Sequence, residues 1–218
     1  MSNTNKPFNP DCTRCPRLKR HLKTTAKQYP SYHCKPVPAF GDPKATLLIV
    51  GLAPGLHGAN ATGQAFTGDA SGDLLFQTLH ELGLSNQVQA HTLDNKLRLN
   101  NCRISNAVKC YPPENKPNGA EIKNCSPYLK TEIANMPHQA VILALGKIAH
   151  DSVLGALGLI KKHYRFEHNA VHAVEAEPHK QYQLVDSYHC SRYNLTTKRL
   201  TPQMFKAAVL TASKLMPV

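Results

Sequence analysis

The chain has no long apolar run. Nothing in its 218 residues approaches the length of a membrane span, and the start, "MSNTNKPFNPDCTRCPRLKR", has no apolar stretch of the kind a secretory signal needs. The expectation is a soluble, intracellular protein. Internal repeats, low-complexity tracts and Gly/Ser-rich linkers are also absent, so residues 1–218 read as a single domain large enough for a real core. Acid is scarce: 14 Asp and Glu stand against 26 Lys and Arg, a net charge of +12 that favours a polyanionic partner, nucleic acid first among them. The seven cysteines are an odd number. Without an export signal, that argues against a disulfide framework and for metal or cluster binding.

Four short apolar runs read as buried strands: "TLLIV" (46–50), "RISNAV" (103–108), "AVILALG" (140–146) and "YQLVDSY" (182–188). Helix patterns lie between and after them. Ser71 is placed to cap a helix whose Leu75, Leu79 and Leu82 share one face, with Gly83 as its stop. Ser126-Pro127 reads as a second helix start, "GKIAHDSVLGAL" (146–157) as a third helix and Thr201-Pro202 as the start of the last. This alternation predicts an α/β fold, a three-layer α/β/α sandwich around a central four-stranded parallel sheet. Functional sites in such sheets lie outside the carboxyl ends of the strands. The distinctive loops fall there: "GLAPGLHGANATGQAFTGD" after the first strand, "NAVKCYPP" ending the second and "SYHCSRYN" ending the fourth.

Cys12 and Cys15 form a C-x2-C pair, and Cys110 and Cys125 a wider one. Together they suit four thiolates on one ion or cluster. Spacing alone does not separate zinc from [4Fe-4S], although the wide pair lacks the usual knuckle spacing of a zinc ribbon. Cys34 and Cys102 read as buried spares. His163, His168, His172 and His179 fit no single helical face and read as a solvated hairpin rather than a metal site.

These loops, with "NKP", "NCSPYL" and the four cysteines, resemble the uracil-DNA glycosylase superfamily. Within it they are most similar to family five, the iron–sulfur B-type enzymes. The resemblance runs from Cys12 to the last helix. It implies a monofunctional glycosylase that removes uracil, and other deaminated bases such as hypoxanthine, from DNA by hydrolysing the N-glycosidic bond at the start of base excision repair. It implies a structural [4Fe-4S] cluster on Cys12, Cys15, Cys110 and Cys125. The implied setting is the prokaryotic cytoplasm, at the nucleoid, with DNA as partner, no membrane and a monomeric chain. Phe66 matches the aromatic that stacks on the flipped base, Gly51 and Ala53 belong to the pocket wall, and Asn106 matches the residue that reads the base edge. His189 matches the donor to the departing base, and Asp69 is the nearest acid for water or the cationic sugar. Ser191, Arg192, Tyr193 and Asn194 match the loop that enters DNA. No lysine is assigned as a Schiff-base nucleophile, so no strand cleavage is expected.

The chain departs from the family where H-P-S is usual, reading His189-Cys190-Ser191. Losing the proline is expected to loosen that loop and to leave an oxidisable thiol. Ala61 and Gln64 stand where relatives often carry arginine, which predicts weaker local phosphate contact. A DNA-binding protein of the same fold that recognises lesions without cleaving them is the alternative reading. A zinc protein binding RNA through its basic surface is a third.

Overall fold

The computed structural model describes residues 7–88, 96–176 and 180–217. Helix α1 spans Pro16–Gln28. The short strand β1 (Phe40–Gly41) precedes β2 (Leu47–Gly51), and helices α2 (Ala59–Thr62) and α3 (Ala70–Glu81) follow. Then come β3 (Cys102–Asn106), α4 (Gly119–Ala134), β4 (Val141–Leu145) and α5 (Lys147–Leu157). The hairpin β5 (Val171–Ala176) and β6 (Lys180–Ser187), the short α6 (Arg192–Thr196) and α7 (Pro202–Lys214) complete the order.

The sheet runs β1-β3-β2-β4-β6-β5. Its four inner strands are mutually parallel, while β1 and β5 lie antiparallel on the edges. The four strands expected from sequence are the parallel core of a six-stranded sheet. Two residues are too few for β1 to show a period, and the exposed alternation of β5 is that of an edge strand.

Strands β2 and β4 are buried at every position, as parallel strands covered on both faces must be. Alternate residues serve opposite layers. Leu47 and Ile49 pack with Leu75 and Phe76 of α3 and Phe205 and Val209 of α7. Leu48 and Val50 pack with Leu129 and Ile133 of α4 and Val153 and Leu154 of α5.

Two helix starts differ from expectation. Helix α3 is capped by Asp69, not Ser71: Asp69 Oδ1 accepts from the Ser71 N–H at 3.0 Å and the Gly72 N–H at 3.1 Å. Helix α4 starts at a capping box, where Asn118 Oδ1 accepts from Glu121 N and Glu121 Oε2 from Asn118 N, both at 2.9 Å. Pro127 therefore lies inside α4 rather than at its first turn. Glu121 also takes Arg17 Nε at 2.7 Å and Nη2 at 2.8 Å, docking α1 on the start of α4. The Arg17 guanidinium outweighs the opposing effect of burial and holds the Glu121 carboxyl below the ordinary carboxylate range. Helices α5 and α7 begin where expected, α7 with Thr201 Oγ1 accepting from Met204 N at 3.2 Å.

Candidate active site

A cleft of about 720 Å³ opens at the carboxyl ends of the parallel strands, lined among others by Leu52, Ala53, Asp69, Asn115, His189 and Arg192. The glycine loop that follows β2 forms one wall. Gly51, its first residue, pairs in register with Asn106 at the end of β3. A Cβ on Gly51 would lie 2.5 Å from Asn106 Oδ1 and 2.6 Å from the Phe66 ring, so only glycine lets the three meet. Phe66 is buried and has φ +58, a left-handed backbone that a bulky residue rarely adopts. Its carbonyl rests on Gly72, where a side chain would collide with it. The Phe66 ring lies nearly parallel to that of His189, with centroids 5.9 Å apart.

His189 follows β6. Burial pulls its imidazole down to about 4, so at neutral pH the ring carries no charge and offers one N–H. Asp69 lines the same cleft, with one oxygen committed to the α3 cap and Oδ2 facing Gly55 and Gly58. Its own burial raises the carboxyl against the two N–H bonds that lower it.

The segment after His189 is tied down by contacts of its own side chains. Cys190 is fully buried, and its thiol donates to the Ser71 carbonyl at 3.4 Å, tying the loop to the first turn of α3. Burial pushes that thiol far up, which makes it unreactive rather than oxidisable. Ser191 caps α6 by accepting from Asn194 N, and Asn194 Nδ2 donates to the His189 carbonyl at 2.8 Å. Ser191 and Arg192 line the cleft, while Tyr193 projects outward with 72% of its surface exposed. Gln64 turns inward, and its Nε2 finds no hydrogen-bond partner.

The four cysteines of the two pairs line a second cavity of about 410 Å³. Three sulfurs already have donors or partners: Lys109 N–H to Cys125 Sγ at 3.2 Å, Asn124 Nδ2 to Cys15 Sγ at 3.7 Å, and a Tyr128–Cys12 hydrogen bond. Burial, then the neighbouring cysteines, push Cys110 up to about 12, and burial pushes Cys125 up to about 11. No three of the four sulfurs lie within 4.8 Å of one another. Tetrahedral zinc, with sulfurs at about 2.3 Å, would hold them roughly 3.8 Å apart. Four thiols around one cavity are a donor set that fits a soft metal centre. Cys34 and Cys102 are both buried as expected, Cys102 in β3 and Cys34 on the lining of this same cavity.

Lys109 lies inside "NAVKCYPP" and was passed over when no lysine was assigned. It is 1% exposed, and its Nζ binds Glu132 Oε1 at 2.8 Å and Ser105 Oγ. A lysine so tied is no nucleophile. Asn115 was also missed as a cleft residue; with Glu114 it has positive φ, and asparagine's tolerance of that region was the available signal. Of the described histidines of this group, only His172 lies on the β5–β6 hairpin; His163 and His168 precede it, and the segment is not solvated throughout. The His172 side chain is 16% exposed and bonds Asp186 at 3.1 Å, and His168 Nδ1 accepts from Tyr188 N. His179 lies outside the described residues.

Comparison with known proteins agrees with this geometry. The pattern of the "Uracil DNA glycosylase superfamily" matches residues 38–212. A type-5 uracil-DNA glycosylase of Thermus thermophilus is 41% identical over 94% of this chain and 93% of its own length. One of Pyrobaculum aerophilum is 42% identical over 88% of this chain and 83% of its own. A type-4 uracil-DNA glycosylase of the same archaeon is 33% identical over 68% of this chain and 62% of its own. With this fold, this cleft and a match across most of its length, the chain belongs to the uracil DNA glycosylase superfamily.

Proposed function

We propose that the protein is a monofunctional glycosylase that hydrolyses the N-glycosidic bond of uracil, and of other deaminated bases such as hypoxanthine, in DNA. The observation that carries this is the meeting of Asn106 and Phe66 over Gly51, with the neutral His189 ring stacked beside Phe66. A base out of the stack needs an aromatic face and an edge reader, and the Phe66 ring and the Asn106 amide supply them. Bond cleavage puts negative charge on the departing base. A neutral imidazole N–H on the cleft wall stabilises that charge without delivering a proton in advance. The cationic sugar and the attacking water fall to Asp69, whose Oδ2 faces the glycine loop. Ser191, Arg192 and exposed Tyr193 meet the DNA at the mouth, with Arg192 on phosphate and Tyr193 in the gap left by the base. Asn194 holds the His189 carbonyl from behind.

The four cysteines are read as ligands of a [4Fe-4S] cluster, which would brace α1, the "NAVKCYPP" loop and α4 and take no part in cleavage. Thiol chemistry, N–H···S donors and the spread of the sulfurs support this. One domain, acting as a monomer on nucleoid DNA of a prokaryotic cytoplasm, completes the reading.

The test is incubation of anaerobically purified protein with labelled duplexes carrying G:U, A:U or hypoxanthine, then hot alkali and a denaturing gel. Alkali-dependent cleavage at the lesion is expected, strongest at mismatches. No cleavage by folded protein would leave the lesion-binding reading in its place. Gly51→Ala should lower kcat/KM about tenfold by displacing Phe66 or Asn106. A full rate in that variant would show that their meeting does not matter.

A further inference from the structure

Three side chains from three elements converge outside both the cleft and the cysteine cavity. His150 comes from α5, His172 from β5 and Asp186 from β6. Asp186 lies between the two rings, with Oδ1 2.8 Å from His150 Nδ1 and Oδ2 3.1 Å from His172 Nε2. One ligand atom of each lies within 4.8 Å of the others, and among the described residues no other such trio of His, Cys, Asp or Glu exists. His150 and Asp186 are fully buried, and the partly exposed His172 gives the approach from solvent.

The far side of His150 decides what these atoms can hold. His150 Nε2 lies 3.1 Å from the Tyr164 carbonyl, which can only accept. Nε2 therefore carries the ring hydrogen, and Nδ1 of a neutral ring turns its lone pair on a carboxylate oxygen in a dry place. Something positive must lie between them: a second ring proton or a metal cation. An imidazole anchored by a carbonyl on its other nitrogen is the usual arrangement of a metal-bound histidine. Phe166 packs edge-on to His150 at 5.6 Å and Tyr164 to His172 at 5.9 Å, walling the group with aromatic carbon. Two imidazoles and one carboxylate suit zinc and its neighbours rather than magnesium or calcium.

We propose that His150, His172 and Asp186 bind one divalent cation of the zinc class. Binding displaces the protons that otherwise occupy Nδ1 of His150 and Nε2 of His172, and it ties α5, β5 and β6 together just before His189.

The experiment is to equilibrate the purified full chain with zinc, remove free metal by gel filtration and measure zinc per chain beside a thermal melt. His172→Ala, a change on the edge strand, keeps all four cysteines, so the difference between the two proteins reports this site alone. Wild type should retain about one more zinc than His172→Ala, and only wild type should melt higher when zinc is added. Asp186→Asn should behave like His172→Ala, with circular dichroism checking that both variants are folded. Equal zinc in wild type and a folded His172→Ala, or no zinc-dependent rise in the wild-type melt, would overturn the proposal and leave a proton-bridged pair. Misfolding of both variants leaves the wild-type melt to decide.

Discussion

Replacing His189 by alanine is expected to slow uracil excision by about 10²–10³-fold, the worth of one well-placed donor to a developing oxyanion. Binding of lesion DNA should change little, because the ring's contribution belongs to the transition state. Single-turnover excision and a separate binding titration give the two numbers. Unchanged excision would remove His189 from its role. The pH profile sharpens the test. With the imidazole held down to about 4, the ring stays neutral from pH 8 to near pH 4. Excision should therefore show no fall near pH 6.5 traceable to this residue. A wild-type limb near 6.5 that vanishes in His189→Asn would mean the ring is ordinarily solvated. The same depression affects stability. The unfolded chain takes up the His189 proton first, so the His189 contribution is complete above about pH 6.5 and is lost as pH falls towards 4.

Replacing Cys125 by serine should strip the iron and lower the melting temperature by about 10 °C or more. Cys125 is nearly buried, accepts the Lys109 N–H and stands on α4 facing α1 across the cavity. Serine would leave three thiols around a space shaped for a charged centre. Iron content, visible absorbance and a thermal melt check this. A colourless wild type, or a serine variant with wild-type iron and melting, would sink the cluster assignment.

Much of this architecture could be read in advance because its signals are local. "LLIV" (47–50) and "VILAL" (141–145) are apolar at every position, which in strands this short means cover on both faces. Thr201-Pro202 and Gly146 carry their helix boundaries in adjacent residues. The misses have two causes: a choice between neighbouring residues that cap equally well, and partners distant in sequence. Serine and aspartate cap equally well, and whether Asp69 or Ser71 starts α3 depends on where Phe66 turns at positive φ. Pro127 looks like a helix start until Asn118 and Glu121 close their box about two turns earlier. Cys190 looked oxidisable because the burial that raises its thiol comes from tertiary packing, with Ser71 of α3 beside it. The site residues were easier to find than their supports, since strand ends and loops are marked by composition. Buried Lys109 with Glu132, and His150 with Asp186, are pairings that only tertiary structure creates.

The two cysteine pairs meet across chain that must first fold. Between Cys15 and Cys110 lie β1, β2, α3 and β3, and the β2–β3 pairing is itself a long crossover. A chain emerging from the ribosome thus exposes Cys12 and Cys15 long before Cys110 and Cys125 exist to join them. Loop closure over that length is slow, and parallel strands pair late. Synthesis order therefore makes the N-terminal pair the vulnerable one, open to stray metal and oxidant during the interval. The Arg17–Glu121 clasp that docks α1 on α4 spans the same separation and closes only once α4 has been made.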